Sequence, residues 1–158
     1  MLSRTQMLVT TFALTFGIGC ATATIPNTRV EDTEENREVL EFLEQYRTAV
    51  EARDVGRLIR LASQSYFDDM GTPAGTDDVD FEGLREGLAA FPVEVLAARY
   101  QIHYRDVTYV DDRVLVDVRY TAWFRVPTPE GPQWERRLEP HRLVIAREDG
   151  QYRIVSGM

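Results

Sequence analysis

Lysine is absent from this sequence: all 18 basic side chains are arginine, against 26 carboxylates, and the formal charge is −8. A nucleic-acid binder needs a basic footprint to displace phosphate counterions, so nucleic acid is excluded as a partner class. Cysteine is nearly absent too, and the single Cys20 leaves no internal disulfide to form, even in an oxidising compartment. Packing alone must hold the fold. There is no P-loop, glycine-rich dinucleotide turn, His-Glu-x-x-His, Cys-x-x-Cys or serine-centred elbow, so whole enzyme classes lose their usual signals and no cofactor is indicated. No apolar run reaches the roughly 20 residues of a permanent membrane span.

What is present is the composition of a globular protein: 158 residues, 44% apolar and 28% charged. The acidity is localised. Residues 31–86 carry 16 acids against 6 arginines, whereas residues 89–158 carry 10 of each.

The first 19 residues have a short positive start, with Arg4, and about a dozen apolar or small residues without an acid, the pattern of a secretion signal. Gly17-Ile18-Gly19-Cys20 then resembles the bacterial lipobox, although Gly17 stands where that motif usually has leucine. The competing possibility is ordinary cleavage after Ala23, since Ala21-Thr22-Ala23 fits the small-x-small pattern. A lone cysteine at the end of the apolar run favours acylation. The expected organisation is a signal over residues 1–19, a tether over 20–31 and one domain over 32–158. Two acyl chains on Cys20 give stable attachment to a membrane. In Gram-negative lipoproteins Ala21, rather than aspartate, implies sorting to the outer membrane, facing the periplasm.

The periodicity predicts three helices. Val39, Leu43, Tyr46 and Val50 recur at helical spacing after a cap within Asp32-Thr33-Glu34-Glu35, giving a helix over about 33–52. Asp54 caps a short second helix. Asp78 or Asp80 caps a third, with Phe81, Leu84, Leu88 and Phe91 on one face, and Pro92 is expected to stop it. The period then changes to two. Tyr100, Ile102 and Tyr104 alternate, as do Val114, Val116, Val118, Tyr120, Ala122 and Phe124. A parity change at Arg105-Asp106 predicts a β-bulge that curves the sheet. Asp149-Gly150 predicts a two-residue hairpin in which Glu148 pairs with Gln151, Ile145 with Ile154 and Leu143 with Ser156; Pro140 should mark a bulge or a sheet edge. The result is an α+β domain with helices on one face of an antiparallel sheet.

The element order and the segments LIRLASQSYFDDMG, DFEGLREGL, RYQIHYRDV, RVLVDVRYTAWF and RLVIAREDGQYRIVSGM resemble the nuclear transport factor 2-like superfamily, including its SnoaL-like domains, over roughly residues 35–158. The resemblance implies a cystatin-like cone in which three N-terminal helices and a curved antiparallel sheet enclose a pocket. Some members are isomerases, dehydratases or cyclases; many bind or assemble without catalysis, so the fold does not choose.

Candidate residues follow from strand parity. His103 points outward with Gln101 and Arg119. His141 shares the parity of Leu143 and Ile145, so it can point into the cone near Met158 and, with an aspartate such as Asp69, could form an acid–base pair. A structural histidine is the commoner case. Tyr46, Tyr66, Tyr100, Tyr104 and Tyr120 could line the pocket, although aromatic stripes are more often plain core. Asp78, Asp80 and Glu82 resemble the start of a calcium loop, but helix capping explains them better and no metal is expected. On the outer sheet face Trp123, with Arg119 and Arg125, suggests homodimerisation unless the turn over residues 127–132 covers the ring. The expected function is non-catalytic binding of a small apolar ligand or another envelope protein, with a small isomerase or dehydratase as the alternative.

Overall fold

A computed structural model describes residues 23–71 and 75–158; Cys20 and the expected signal lie outside the described residues. Helix α1 (Glu34–Ala52) begins where Thr33 accepts the Asn36 amide at 3.1 Å, and ends at Arg53, whose left-handed φ of 53° turns the chain. Asp54 then caps α2 (Val55–Leu61) by accepting the Arg57 amide at 2.9 Å. Two short strands, β1 (Phe67–Asp68) and β2 (Val79–Asp80), pair antiparallel and lead into α3 (Phe81–Glu94), capped by Asp80. Pro92 does not stop α3, contrary to expectation. It sits in the last turn, where a missing N–H forfeits only one hydrogen bond, and the helix ends when Leu96 donates to the Arg125 carbonyl at 2.7 Å.

The main sheet has the order β3-β4-β5-β6, formed by β3 (Ala97–Val110), β4 (Arg113–Val126), β5 (Gln133–Glu148) and β6 (Gln151–Ser156), every pair antiparallel. The expected bulge lies between Tyr104 and Asp106, leaving Arg105 without a partner on β4. Asp149 and Gly150 close the β5–β6 hairpin with φ of 48° and 78°, the double positive φ of a type I′ turn. The register that follows holds only in part: Glu148 pairs with Gln151 and Ile145 with Ile154, but Ser156 lies opposite Val144, not Leu143. Val155 is the extra residue. Ile154 and Val155 are both buried, which strict alternation cannot provide, so the strand bulges to turn both inward. Pro140 lies on the stretch of β5 that β6 leaves uncovered, a sheet edge.

Leu43, Val39 and Leu58 of the helices pack fully buried with Val116, Val118, Leu143, Ile145 and Ile154 of the sheet. The free side of β3 is closed by α1: Glu51 accepts the Tyr100 amide at 2.9 Å and Arg47 reaches the Tyr100 carbonyl at 3.4 Å. Residues 23–31, expected as a tether, instead form a turn in which Thr24 bridges Glu31, Arg29 donates to the Tyr104 carbonyl, and Val30 enters the core.

Candidate functional site

The alternation of β4 and the helical spacing of α1 and α3 bring aromatic rings to one end of the core. They wall a cavity of about 940 Å³ between the helices and the sheet. Tyr100 stacks on Tyr120 with ring centroids 5.3 Å apart, Tyr46 meets Tyr100 edge-on at 6.1 Å, and Phe91 meets Phe124 edge-on at 6.3 Å. Flat rings in these arrangements gain from their quadrupoles beyond the area they bury. Charged groups stand at the exposed rim, where Glu139 accepts the Tyr120 hydroxyl at 3.2 Å.

His141 is half-buried at the cavity wall, edge-on to Tyr120 at 5.8 Å. Its Nε2 lies 2.7 Å from the Gly157 carbonyl oxygen. A carbonyl only accepts, so Nε2 carries the proton and donates. The Gly157 amide donates to Asp68 Oδ2 at 2.7 Å, the Met158 amide donates to the Tyr66 hydroxyl at 3.0 Å, and that hydroxyl donates to Asp68 Oδ2 at 3.3 Å. His141, Asp68 and Tyr66 thus hold the Gly157-Met158 segment as a strap beside the cavity. Gly157 has a φ of 87°, and a Cβ there would run into the Arg142 carbonyl, so only glycine fits.

Of the sequence candidates, Tyr46, Tyr100, Tyr120, His141 and Asp69 line the cavity, whereas Tyr66 and Tyr104 do not. Tyr66 lies behind the strap, and Tyr104 faces α1, where its hydroxyl donates to Glu44 at 3.1 Å. Asp69 is exposed and accepts the Gly71 amide at 2.9 Å. Burial pushes the Tyr46 hydroxyl up to about 12 and raises those of Tyr66, Tyr100 and Tyr104; Tyr120 is raised by burial and then by Glu139. Tyr46, Tyr100 and Tyr120 therefore present neutral hydroxyls at the cavity wall. Asp68, Phe91 and Gly157 belong to the site although the sequence did not mark them as pocket residues. The bulge at Val155 hides the parity that would have placed Gly157.

Asp80 spends a carboxylate oxygen on the Gly83 amide, at 2.9 Å, as a helix cap. Among the described residues no three histidine, cysteine, aspartate or glutamate side chains gather to hold a metal ion.

On the outer face Trp123 is half-buried, and Arg119 and Arg125 are exposed. The turn over residues 127–132 continues the β4–β5 hairpin beyond the pair Val126–Gln133, and the Arg136 guanidinium lies 5.8 Å from the Trp123 ring centre.

No protein-family model matches the chain, and no curated protein matches it. Solved structures do. A candidate scytalone dehydratase from Novosphingobium aromaticivorans superposes with a TM-score of 0.65 at 12% identity, over 78% of this chain and 80% of that one. A hexachlorocyclohexane dehydrochlorinase of type 2 gives 0.61 at 15% identity, over 78% and 82%. A nuclear transport factor 2-like superfamily protein from Salmonella enterica serovar Typhimurium gives 0.62 at 11% identity, over 77% and 86%. Helices on a curved four-stranded antiparallel sheet, shared with these structures at such low identity, identify the chain's fold as the nuclear transport factor 2-like α+β cone.

Proposed function

We propose that this chain is an exported binding protein of the cell envelope, held to the outer membrane by an acylated Cys20, whose cone carries a small, flat, apolar molecule without transforming it. One observation carries the binding assignment: the groups best suited to acid–base work are spent on structure. His141 donates to Gly157, and Asp68 accepts from Gly157, Tyr66 and Met70. Tyr46, Tyr100, Tyr120, Phe91 and Phe124 face the cavity beside the aliphatic Val50, Leu58 and Leu88, walls suited to a planar apolar guest, with Arg137, Glu139 and Arg142 lining it as well.

An isomerase or dehydratase is the alternative, favoured by Asp69 and His141 lining the same cavity and by a dehydrochlorinase of the same fold. His141→Gln separates the two, because a glutamine amide can still donate to Gly157 but cannot act as a base. Native mass spectrometry of protein purified from its own envelope, with the released ligand compared by chromatography so that isomers are resolved, should find the same ligand on wild type and variant. A different ligand on the variant, a substrate held in place of a product and differing from it by a water or only as an isomer, would overturn the binding assignment. For the anchor, Cys20→Ala should move the protein from the detergent-extracted membrane fraction to the soluble periplasmic fraction. A wild type that is already soluble and begins at Thr24 would contradict it.

A further inference from the structure

The register of the sheet gathers a second set of side chains on the face away from the helices. Arg99, Trp123 and Arg136 form one row across β3, β4 and β5, and Arg125 pairs with Trp134 in the next. Arg119 and Leu138 follow further along the same face. Arg99, Arg119, Arg125 and Arg136 are all exposed, and Trp134 and Leu138 are 48% and 49% exposed. No carboxylate stands at an outward position of this stretch. The row beyond it, where Asp117 and Arg142 close an ion pair of 2.7 Å, ends the patch. These four arginines close no ion pair among the described residues, unlike Arg142 in the neighbouring row, so their charge stands uncompensated on the face. Two of them lie against tryptophan instead: Arg99 is 5.4 Å from the Trp134 ring centre and Arg136 is 5.8 Å from that of Trp123.

We infer that this face docks on an anionic phospholipid bilayer. Guanidinium groups match phosphodiesters in charge and geometry, and tryptophan and leucine beside them suit the boundary between headgroups and acyl chains. A second copy fits less well, because a two-fold interface on this face would gather eight arginines with no carboxylate at an outward position to offset them. The acids of residues 31–86 belong mainly to the helical layer and its loops. A helix layer stands about 10 Å behind the sheet, comparable to the Debye length of about 10 Å at 0.1 M salt, so those acids are largely screened from the bilayer. Docking therefore orients the molecule with its acidic side outward.

The inference rests on the envelope assignment for the presence of a bilayer but not on acylation, so the test uses Cys20→Ser. This full chain should co-sediment with phosphatidylcholine vesicles containing phosphatidylglycerol much more than with phosphatidylcholine alone. Binding should fall as salt rises, and the emission of Trp123 and Trp134 together should shift to the blue. Each arginine near an anionic surface contributes about fivefold, so at about 0.1 M salt Arg99→Glu with Arg136→Glu should weaken binding by more than about 25-fold with unchanged circular dichroism. Equal binding to both vesicle types, or none, overturns the inference. So does a stable dimer in sedimentation that Trp123→Glu converts to a folded monomer, which would give the face to a second copy.

Discussion

Replacing Gly157 by alanine attacks the strap on which the cavity wall depends. The residue holds a φ of 87°, a conformation that costs a side-chain-bearing residue about 1–2 kcal/mol. The new methyl would also meet the Arg142 carbonyl, which is backbone and cannot swing aside. The strap must lift, stretching the donation from Gly157 to Asp68 and that from His141 to Gly157, both 2.7 Å. A hydrogen bond to a carboxylate is worth about 1.5–3 kcal/mol and a neutral one about 0.5–1.5 kcal/mol. Strain and lost bonds together come to about 3–6.5 kcal/mol. Gly150→Ala is the control, because Gly150 has a φ of 78° with open space around it and should show the conformational cost alone, about 1–2 kcal/mol. Urea unfolding of both variants measures the difference. If Gly157→Ala costs no more than Gly150→Ala, the strap is not clamped against Arg142 and the argument fails.

Three further outcomes follow from the same geometry. Gly87 lies in α3 on the cavity wall, with nothing within 4 Å of the place a Cβ would take, so Gly87→Leu should gain about 0.5–1 kcal/mol of helix stability while weakening the uptake of a flat ligand; unchanged uptake would mean the cavity is not the site. Asn36 is buried, donating to the Glu31 carbonyl at 2.9 Å and accepting from the Tyr109 hydroxyl at 2.8 Å, so Asn36→Leu should cost about 1–3 kcal/mol, and a cycle with Tyr109→Phe should show coupling between them. Burial raises Tyr46 from 10.0 to about 12, so its contribution to stability is complete below pH 10 and is lost as pH rises towards 12; Tyr46→Phe should move alkaline unfolding to higher pH, and an unmoved midpoint would refute the assignment.

Much of the scaffold could be read from periodicity, because one buried face repeats regularly along each element. Val39 to Val50 on α1 and Val114 to Phe124 on β4 are such cases, and the parity break at Arg105 even located a bulge. Reading failed where local chemistry departs from the repeat. Pro92 looked like a terminator, yet near a helix end its cost is a single hydrogen bond. Val155 bulges because two neighbours both need burial, and that one extra residue displaced Ser156 and concealed the role of Gly157. The site was legible only in part for the same reason. His141 could be aimed from strand parity, but its partner is a backbone carbonyl, which no residue type announces. Tyr104 shares the stripe of Tyr100 but lies under α1, a distinction set by helix placement rather than by alternation. The outer face showed Trp123, Arg119 and Arg125; Arg99, Arg136 and Trp134 join them only once three strands are in register.

The central claim is that the aromatic end of the cone holds a small flat apolar guest, and a titration with naphthalene followed by nuclear magnetic resonance tests it most directly. Saturable shifts confined to the rings of Tyr46, Tyr100, Tyr120, Phe91 and Phe124, together with the Gly157 amide, are the predicted result. No saturation, or shifts centred on Trp123 and Trp134 of the outer face, would contradict it.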